Sequence, residues 1–572
     1  MPLLATQHAT IPTTDLLTWS WNNRHAYNQD RPIYVDCTNP DRRISAAEAW
    51  SLIRKLVAGF QHAGLQPGDC VCIHAFNNLY YPILVQGIIG AGGVWVGTNP
   101  SYTSFELHHT LKLSKARFVI AEPELLATIR DPATDLGVRN VFLFDAQSGR
   151  RVPELPHWET LLNHGEAYWV SFDDMATAKS TTAMLLFSSG TTGLPKAAQV
   201  SHYNLIAQHT ILYENLFRPW PFPVSMITCL PFFHAANATY VHTTTLRSGF
   251  PSYVMRRFDL SLFLTSMERF AVTWQILVPP IFSALLNYAK THGNEVRQAL
   301  RSVRTIGTGA APLDKNTQNE LRAYLPPGAT CIQGWAMSET SCLACLFIPP
   351  EDDDTGSVGR FLPNLDVKLV DPENPDKELP TYDVRGELCI RGPTVIRGYL
   401  DNPEANSRDW DKDGYFHTGD ILYCNGSTGL WYIVDRKKEL IKVRGFQVAP
   451  NELEVRRGRT LPSRAVQNIA DCRTIPQGVL LSHPAILDTA VIGVKSNDGA
   501  SELPRAYVVL REGKDLSESH VRGWMEERLA PYKRLVGGVR FVDVIPKTAS
   551  GKILKRVLRE QAVGERERIS KL

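Results

Sequence analysis

A chain of 572 residues is too long for one hydrophobic core, since single cores stop growing near ~250–300 residues, so at least two domains are expected. With 44% hydrophobic and 21% charged residues the composition is that of a folded globular protein and excludes a disordered or fibrous one. The net charge of +3, with no Arg/Lys-rich stripe interleaved with aromatics, argues against nucleic acid as a partner. No apolar run reaches the ~18 residues of a membrane span. The N-terminus, MPLLATQHATIPTTD, lacks the basic and apolar regions of a secretory signal. Ten cysteines in so long a chain suggest a reducing compartment. Cys342 and Cys345 form a lone CxxC without a second pair or nearby His, and read as two small apolar residues.

In chain order, strand-like and helix-like segments alternate. CVCIHAF (70–76) is followed by YYPILVQGIIGAGG and VWVGTNP, then RFVIAEP by ELLATIRD and VRNVFLFD. Short β-branched runs separated by helical patterns predict βαβ units and a mainly parallel sheet, hence an α/β class. From about 350 to 430, Pro, Gly and Asp punctuate shorter strands such as DVKLVD and GELCIRG, which predicts a smaller β-rich subdomain. Beyond about 436, DTAVIGV, RAYVVLR, SESHVRGWMEERLA and VRFVDVIP predict a small α+β unit. The expected domains are 1–435 and 436–572.

The segment MLLFSSGTTGLPK (184–196) is a strand ending in hydroxyls and glycines and closing on a lysine. Ser188, Ser189, Thr191 and Thr192 offer hydroxyls, Lys196 an ammonium, and Gly190 and Gly193 allow close backbone approach, a combination that suits a polyphosphate. It is not the P-loop pattern, in which Lys directly follows the second Gly. Alone, such a loop is more often an ordinary turn.

Its company changes that. TIGTGAAPL (305–313), QGWAMSET (333–340), GYFHTGD (414–420), DRKKELIKVRGFQVAPNELE (435–454) and PKTASGKILKR (546–556) follow in order. Together they resemble the motif series of the adenylate-forming superfamily of acyl- and aryl-CoA ligases, luciferases and peptide-synthetase adenylation domains. The resemblance runs from about residue 30 to 560, and within the superfamily is similar to 4-coumarate–CoA ligase-like enzymes. It implies an ATP-dependent acid–thiol ligase with a large N-terminal domain and a small mobile C-terminal one, using ATP, magnesium, coenzyme A and a small-molecule carboxylic acid.

The resemblance also implies roles. Joining two anions calls for positioning and for cations near the developing charge. Lys552 is expected at the α-phosphate, with a flexible ammonium that can arrive and leave. Glu339 is the expected magnesium ligand. Ser338, where the family more usually has Thr, keeps the hydroxyl. Asp420 is expected on the ribose hydroxyls with Arg436 assisting. Gly309, Ala310, Ala311, Gln333 and Gly334 are expected along the adenine. His234, after LPFF, is expected to close over the acyl carboxylate, and Lys442 and Gln447 to contact the adenylate. The hinge falls at Lys438. Gly445 then meets the pantetheine, while Arg444 and Arg257, where coumarate ligases often have Lys, offer forks of donors to its phosphates.

The implied acyl pocket is walled by Ala236, Tyr240, Gly307, Gly334, Ala336, Cys342 and Leu343. Plant coumarate ligases have Tyr at the position of Ala236 and Gly at that of Ala336. No polar partner for a phenol is expected here, so the reading is an apolar medium-chain or arylalkanoic acid. The segment 455–477, with five Arg and two Pro, interrupts an otherwise continuous pattern. Deleting it puts Leu453, Val479 and Leu480 on one helical face. It reads as a retained intron from a filamentous fungus: Val455-Arg456 can be GTACGT, Ala470-Asp471 can contain CTGAC, and Gln477 can be CAG. The chain ends in Ser570-Lys571-Leu572, the address of the peroxisomal import receptor. Luciferase-type oxygen chemistry, transfer to a separate carrier and a non-catalytic nucleotide binder stay open as alternatives.

Overall fold

Six strands form the first sheet, in the order Asn140–Leu143, Phe118–Ala121, Cys70–His74, Val94–Gly97, Thr182–Ser188, Lys196–Ser201. The first five run parallel and the last pair is antiparallel. Every residue of Cys70–His74 is buried, as a parallel strand covered on both faces requires. The covering helices carry the expected end signals: Ala46–His62 starts with a Ser45/Glu48 capping box, and Tyr81–Gly90 is apolar and buried all round. In this computed structural model the described residues are 2–144, 152, 154–188, 195–217, 220–309, 313, 315–437, 441–443, 446–448, 480–495, 502–527, 534–547 and 553–569, with the backbone alone for 441–443, 446–448, 482 and 566–569.

A second sheet orders Arg43–Ser45, Pro32–Asp36, Ser252–Val254 and Met226–Thr228. A third orders Trp274–Leu277, Thr305–Thr308, Thr330–Met337, Cys342–Leu346 and Arg360–Phe361, its first three strands parallel. Gly307 lies opposite Ile332 and Thr308 opposite Gln333. The expected adenine-side loop therefore leaves one strand beside its neighbour that carries the QGWAMSET residues, at the carboxyl ends where open α/β sheets bind ligands. The expected β-rich subdomain is an antiparallel sheet of Asp366–Val370, Gly386–Arg391, Phe416–Cys424 and Trp431–Arg436.

The small C-terminal domain is separate. Ile486–Lys495 pairs antiparallel with Glu502–Leu510, which pairs parallel with Val539–Phe541. One face packs Val491 and Val508 against Val521 and Met525 of the helix Glu518–Glu526, and the other packs Ile492 and Tyr507 against Leu558 of Lys555–Ile569. Leu480, expected on a helical face, opens a short 3-10 turn, Leu480–Ser482, and is fully buried. Leu453, Val479 and the whole of 455–477 lie outside the described residues. No helix among the described residues is long and apolar enough to cross a membrane.

Candidate active site

The strand expected before the phosphate loop is present as Thr182–Ser188, and it pairs antiparallel with Lys196–Ser201, Ser188 lying opposite Lys196. Ser189, Gly190, Thr191, Thr192 and Gly193 lie outside the described residues. Lys196 donates to Asp409 at 2.9 Å, and its ammonium sits 4.4 Å from the ring centre of Tyr399. The chain through Tyr399 lies along the hairpin edge, where Gln199 N–H donates to Gly398 and Leu400 N–H to Ala197. The Tyr399 hydroxyl donates to Glu339 Oε1 at 2.9 Å. Burial, then the Glu339 carboxylate, raises the Tyr399 pKa, so the phenol stays protonated. Burial also raises Asp409, but hydrogen bonds from Arg408 and Lys196 outweigh it and leave its carboxyl below the ordinary range. Lys196 and Glu339, distant in sequence, are thus joined through Tyr399. Neither Tyr399 nor Asp409 stands in a motif that would have announced it.

Ser338 and Glu339 lie in a 3-10 turn, Ser338–Thr340, directly after the strand Thr330–Met337. Glu339 is buried, and its backbone carbonyl accepts from Ile396 N–H at 2.9 Å. The chain leaves this turn through two residues with positive φ, Ser341 at 54° and Cys342 at 118°. Such backbone costs about 1–3 kcal/mol per residue and gathers at functional sites.

Asp420 is buried, with Oδ2 accepting from Trp335 Nε1 at 2.8 Å and Oδ1 3.4 Å from Arg436 Nε. The tryptophan of QGWAMSET thus orients the aspartate of HTGD. Gly419, at φ +70°, makes the turn that a residue with a side chain rarely adopts. Its N–H donates to Glu387 and its carbonyl accepts from Lys437 N–H, while the Lys437 ammonium reaches Glu387 at 2.6 Å. The chain is therefore pinned immediately before the expected hinge, Lys438, which lies outside the described residues.

Gln333 holds the adenine-side loop by its carboxamide: Oε1 accepts from Leu313 N–H, and Nε2 donates to Leu313 O and to Gln318. Ala310 and Ala311 lie outside the described residues. A Cβ on Gly309 would meet Gly334 O at 3.4 Å, and one on Gly334 would meet Leu343 Cδ2 at 3.0 Å and Cys345 O at 3.2 Å.

His234 precedes the helix Ala235–Thr239 and caps it, Nδ1 accepting from Ala236 N–H at 3.2 Å. That bond needs an unprotonated Nδ1, which puts the proton of a neutral ring on Nε2. Its loop is fixed from below by Asn77, whose Nδ2 donates to Leu230 O and Met255 O and whose Oδ1 accepts from Phe232 N–H.

Beside this site lies a largely apolar cavity. The expected wall residues Ala236, Tyr240, Gly307, Gly334, Ala336, Cys342 and Leu343 all line it. A Cβ on Gly307 would lie 2.8 Å from Ile276 Cδ1, so glycine keeps this wall open. Cys342 belongs to the wall while Cys345 packs in the main core. All nine cysteines among the described residues are buried and free.

The expectation of a wall without a polar partner is not met. Gln208, His209 and Tyr240 belong to the lining, together with Tyr213 and Trp274. These come from two π-helical segments, Thr210–Leu216 and Tyr240–Thr244, and their flanks; His209 Nδ1 and Thr244 Oγ1 join the two at 2.9 Å.

Arg257 is exposed, bonded to Glu124 at 3.1 Å and stacked 3.6 Å over Phe76, while Arg256 beside it grips Glu122 with both ends of its fork. Lys442 and Gln447 stand opposite each other in a two-stranded hairpin, Ile441–Val443 with Phe446–Val448. Arg444, Gly445, Lys552 and the terminal Ser570, Lys571 and Leu572 lie outside the described residues.

The AMP-binding enzyme family matches residues 21–400 and the AMP-binding enzyme C-terminal domain matches 477–552. The chain is 47% identical over 555 residues to the phenylacetyl-CoA ligase epaB of Aspergillus niger, covering 96% of this chain and 97% of that one. It is 45% identical over 534 residues to the acyl-CoA synthetase ACTT5 of Alternaria alternata, covering 93% and 87%. Among solved structures, ATP-bound MatB from Rhodopseudomonas palustris superposes with a TM-score of 0.79 at 26% identity, covering 96% of this chain and 98% of that one. The anthranilate CoA ligase AuaEII with anthranoyl-AMP shares the fold, with a TM-score of 0.78 at 21% identity over 97% and 98%. From the ordered motifs, the contacts that join them and these matches, the chain belongs to the AMP-binding enzyme family of the adenylate-forming superfamily.

Proposed function

We propose that this chain is an ATP-dependent acyl-CoA ligase acting on an apolar acid. A carboxylate attacks the α-phosphorus of ATP, pyrophosphate leaves, and the thiol of coenzyme A then displaces AMP from the acyl carbon. The observation that carries the reading is the strand Thr330–Met337 with its turn: Gly334 and Ala336 line the acyl cavity, and Glu339 follows within one turn, joined through Tyr399 to Lys196. Acid and triphosphate are thereby held against one short segment, and such positioning supplies most of the catalysis in phosphoryl chemistry.

Lys196 and the hydroxyls before it take the phosphates, Asp420 takes the ribose, and the His234 Nε2 proton faces the acyl carboxylate. Lys552 brings its ammonium to the α-phosphate for the first step and leaves for the second, when Gly445 and Arg444 serve coenzyme A. Arg257 serves it too once a phosphate displaces Glu124. Lys442 and Gln447 hold the adenylate. For magnesium, the buried Glu339 offers the single carboxylate that suits an ion held mostly by phosphates. Bound there, it would neutralise phosphate charge.

An arylalkanoic or medium-chain acid is the proposed substrate, supported by the small residues Ala236, Gly307 and Ala336 that line the cavity together with Tyr213 and Trp274, and by the phenylacetyl-CoA ligase among the relatives. Ser570-Lys571-Leu572 is proposed to direct the enzyme to peroxisomes. A fluorescent fusion ending in these residues, compared with one lacking them, tests this. The proposal that 455–477 is a retained intron is supported by the C-terminal domain match beginning at Gln477, where the segment ends. Genomic codons that disagree with the splice signals would end it.

The reaction is tested by mass detection of acyl-CoA from the enzyme without 455–477, given ATP, magnesium, coenzyme A and mixed aromatic and medium-chain acids. A thioester peak is expected. Acid-dependent pyrophosphate without thioester would move the acceptor elsewhere, and neither product would overturn the reading.

A further inference from the structure

The acyl cavity is apolar over most of its wall, yet Gln208 and Tyr240 in it carry polar atoms without a partner among the described residues. Gln208, 2% exposed, lines it near the end of the helix His202–His209, and neither Nε2 nor Oε1 has a hydrogen-bond partner among the described residues. Tyr240, 5% exposed, lines it at the start of the π-helical segment, and its hydroxyl likewise has none among the described residues. Folded interiors pair nearly all such groups, because an unpaired buried donor or acceptor loses its hydration without recompense. Thr308 Oγ1 is another such atom, but it lies close to residues 310–312, outside the described residues, and carries no part of the argument.

Neither side chain is placed by slack in its element. Ser201 and Asn204 cap the helix of Gln208 reciprocally, and Asn204 Nδ2 anchors it to Pro393 O and Val395 O at 2.8 and 3.1 Å. His209 and Thr244 lock that helix to the segment of Tyr240 at 2.9 Å. The two groups are held in the wall ready for a ligand, the condition under which a polar contact discriminates between substrates.

Their chemistry limits what fits. A carboxamide presents both a donor and an acceptor, so an ether or ketone oxygen would satisfy Nε2 and leave Oε1 unmet. A hydroxyl donates and accepts, and matches both. Among the described residues the cavity lining contains no Asp, Glu, Lys or Arg. Its histidine, His209, is engaged with Thr244 through Nδ1 and lies 3.8 Å from Glu214 through Nε2. A second carboxylate or an amine would therefore be buried there without a free counter-charge. We infer that Gln208 and Tyr240 form a specificity subsite for a hydroxyl on the acid, so that the preferred substrate is an apolar acid bearing one hydroxyl group. This rests on the ligase reading above and names the substrate class of the same site.

The test pairs acids that differ by a hydroxyl: phenylacetic acid with its 3- and 4-hydroxy derivatives, and octanoic with 8-hydroxyoctanoic acid. Affinities are measured by calorimetry on the full enzyme with a non-hydrolysable ATP analogue, and pyrophosphate release is followed separately with ATP. At least one hydroxylated acid is expected to bind roughly 10-fold tighter than its parent, as sites built to bond a hydroxyl discriminate by at least that much. Gln208→Leu and the milder Tyr240→Phe are each expected to lower that ratio several-fold. A wild-type ratio near one for every pair, or a ratio that survives both substitutions, overturns the inference and leaves the two groups to resident water. Absence of pyrophosphate from every acid would sink the ligase reading, while the binding ratios would still decide the subsite.

Discussion

Tyr399 does two things with one side chain, placing a ring face under the Lys196 ammonium and a hydroxyl on Glu339. Tyr399→Phe separates them by keeping the ring and removing the donor. Hydrogen bonds to charged groups contribute about 1.5–3 kcal/mol, so the rate of pyrophosphate release is expected to fall by roughly 10- to 150-fold. More magnesium should be needed to reach half-maximal rate, because the carboxylate is less firmly oriented. A magnesium titration of wild type and variant checks this, and coincident curves would deprive Tyr399 of the role. Gly307 is the contrasting case, where the absence of a side chain matters. Gly307→Leu drives carbon into Ile276 Cδ1, 2.8 Å from the first added atom, and on into the cavity. KM for the acid is expected to rise by roughly 10-fold or more, the scale on which pockets reject surplus methylenes, with KM for ATP little changed. Equal rises in both constants would mean that the strand, not the cavity, had been disturbed.

Among elements, those that announce themselves in sequence are the ones defined by local chemistry. The strand before Ser188 and the turn at Gly419 were legible because β-branched runs and glycines act within a few residues. The two π-helical segments were not. HYNLIAQHTILYENLF has the apolar spacing of an ordinary helix, and its widening begins directly after His209, whose ring bonds Thr244, 35 residues away. That is why Gln208 and Tyr213 were absent from the expected wall and why the wall was read as lacking a polar partner. Tyr399 was missed for a related reason: it lies in an extended stretch whose hydrogen bonds go to the phosphate hairpin, and nothing in RGYLDNPEA names that partner. The loop carrying His234 shows how far such long-range support extends, since buried Asn77 bonds Leu230 O, Met255 O and Phe232 N–H at once. Asn77→Ala leaves these backbone groups unmet in the interior, at about 1–3 kcal/mol for each one left unpaired. A clear drop in the denaturation midpoint is expected, with a raised KM for the acid as His234 loses its fixed loop. Loss of stability without any change in KM would show that the loop keeps its shape unaided.

Across the whole molecule, three buried histidines bind separate parts of the N-terminal domain together in their neutral form. His74 lies in the first sheet beside Thr98, and His202 Nδ1 accepts from Leu16 N–H at 3.0 Å. His242 packs against Tyr81 and Trp95 and bonds Phe232 O at 3.1 Å. Burial pushes His74 and His202 down to about 4 and His242 to about 3. In the unfolded chain each titrates near 6.5. Between pH ~6.5 and ~4 the unfolded state therefore binds protons that the folded state refuses, and stability falls as the pH falls. Above pH ~6.5 neither state is charged at these sites, so their contribution is complete and level. Each histidine can remove up to ~1.4 kcal/mol per pH unit within the window. Burial raises Asp15 and Glu122 and gives them the opposite sign, but only near the carboxylate range at the acid end. The interval from pH 6.5 to 5 thus belongs mainly to the histidines. Unfolding midpoints are expected to hold between pH 8 and 7 and to drop steeply from 6.5 to 5. His202→Gln, which can keep an acceptor for Leu16 N–H, should lower stability at pH 7.5 yet make that drop shallower by one proton's share. An unchanged slope would place the acid sensitivity of the fold on groups other than its buried imidazoles.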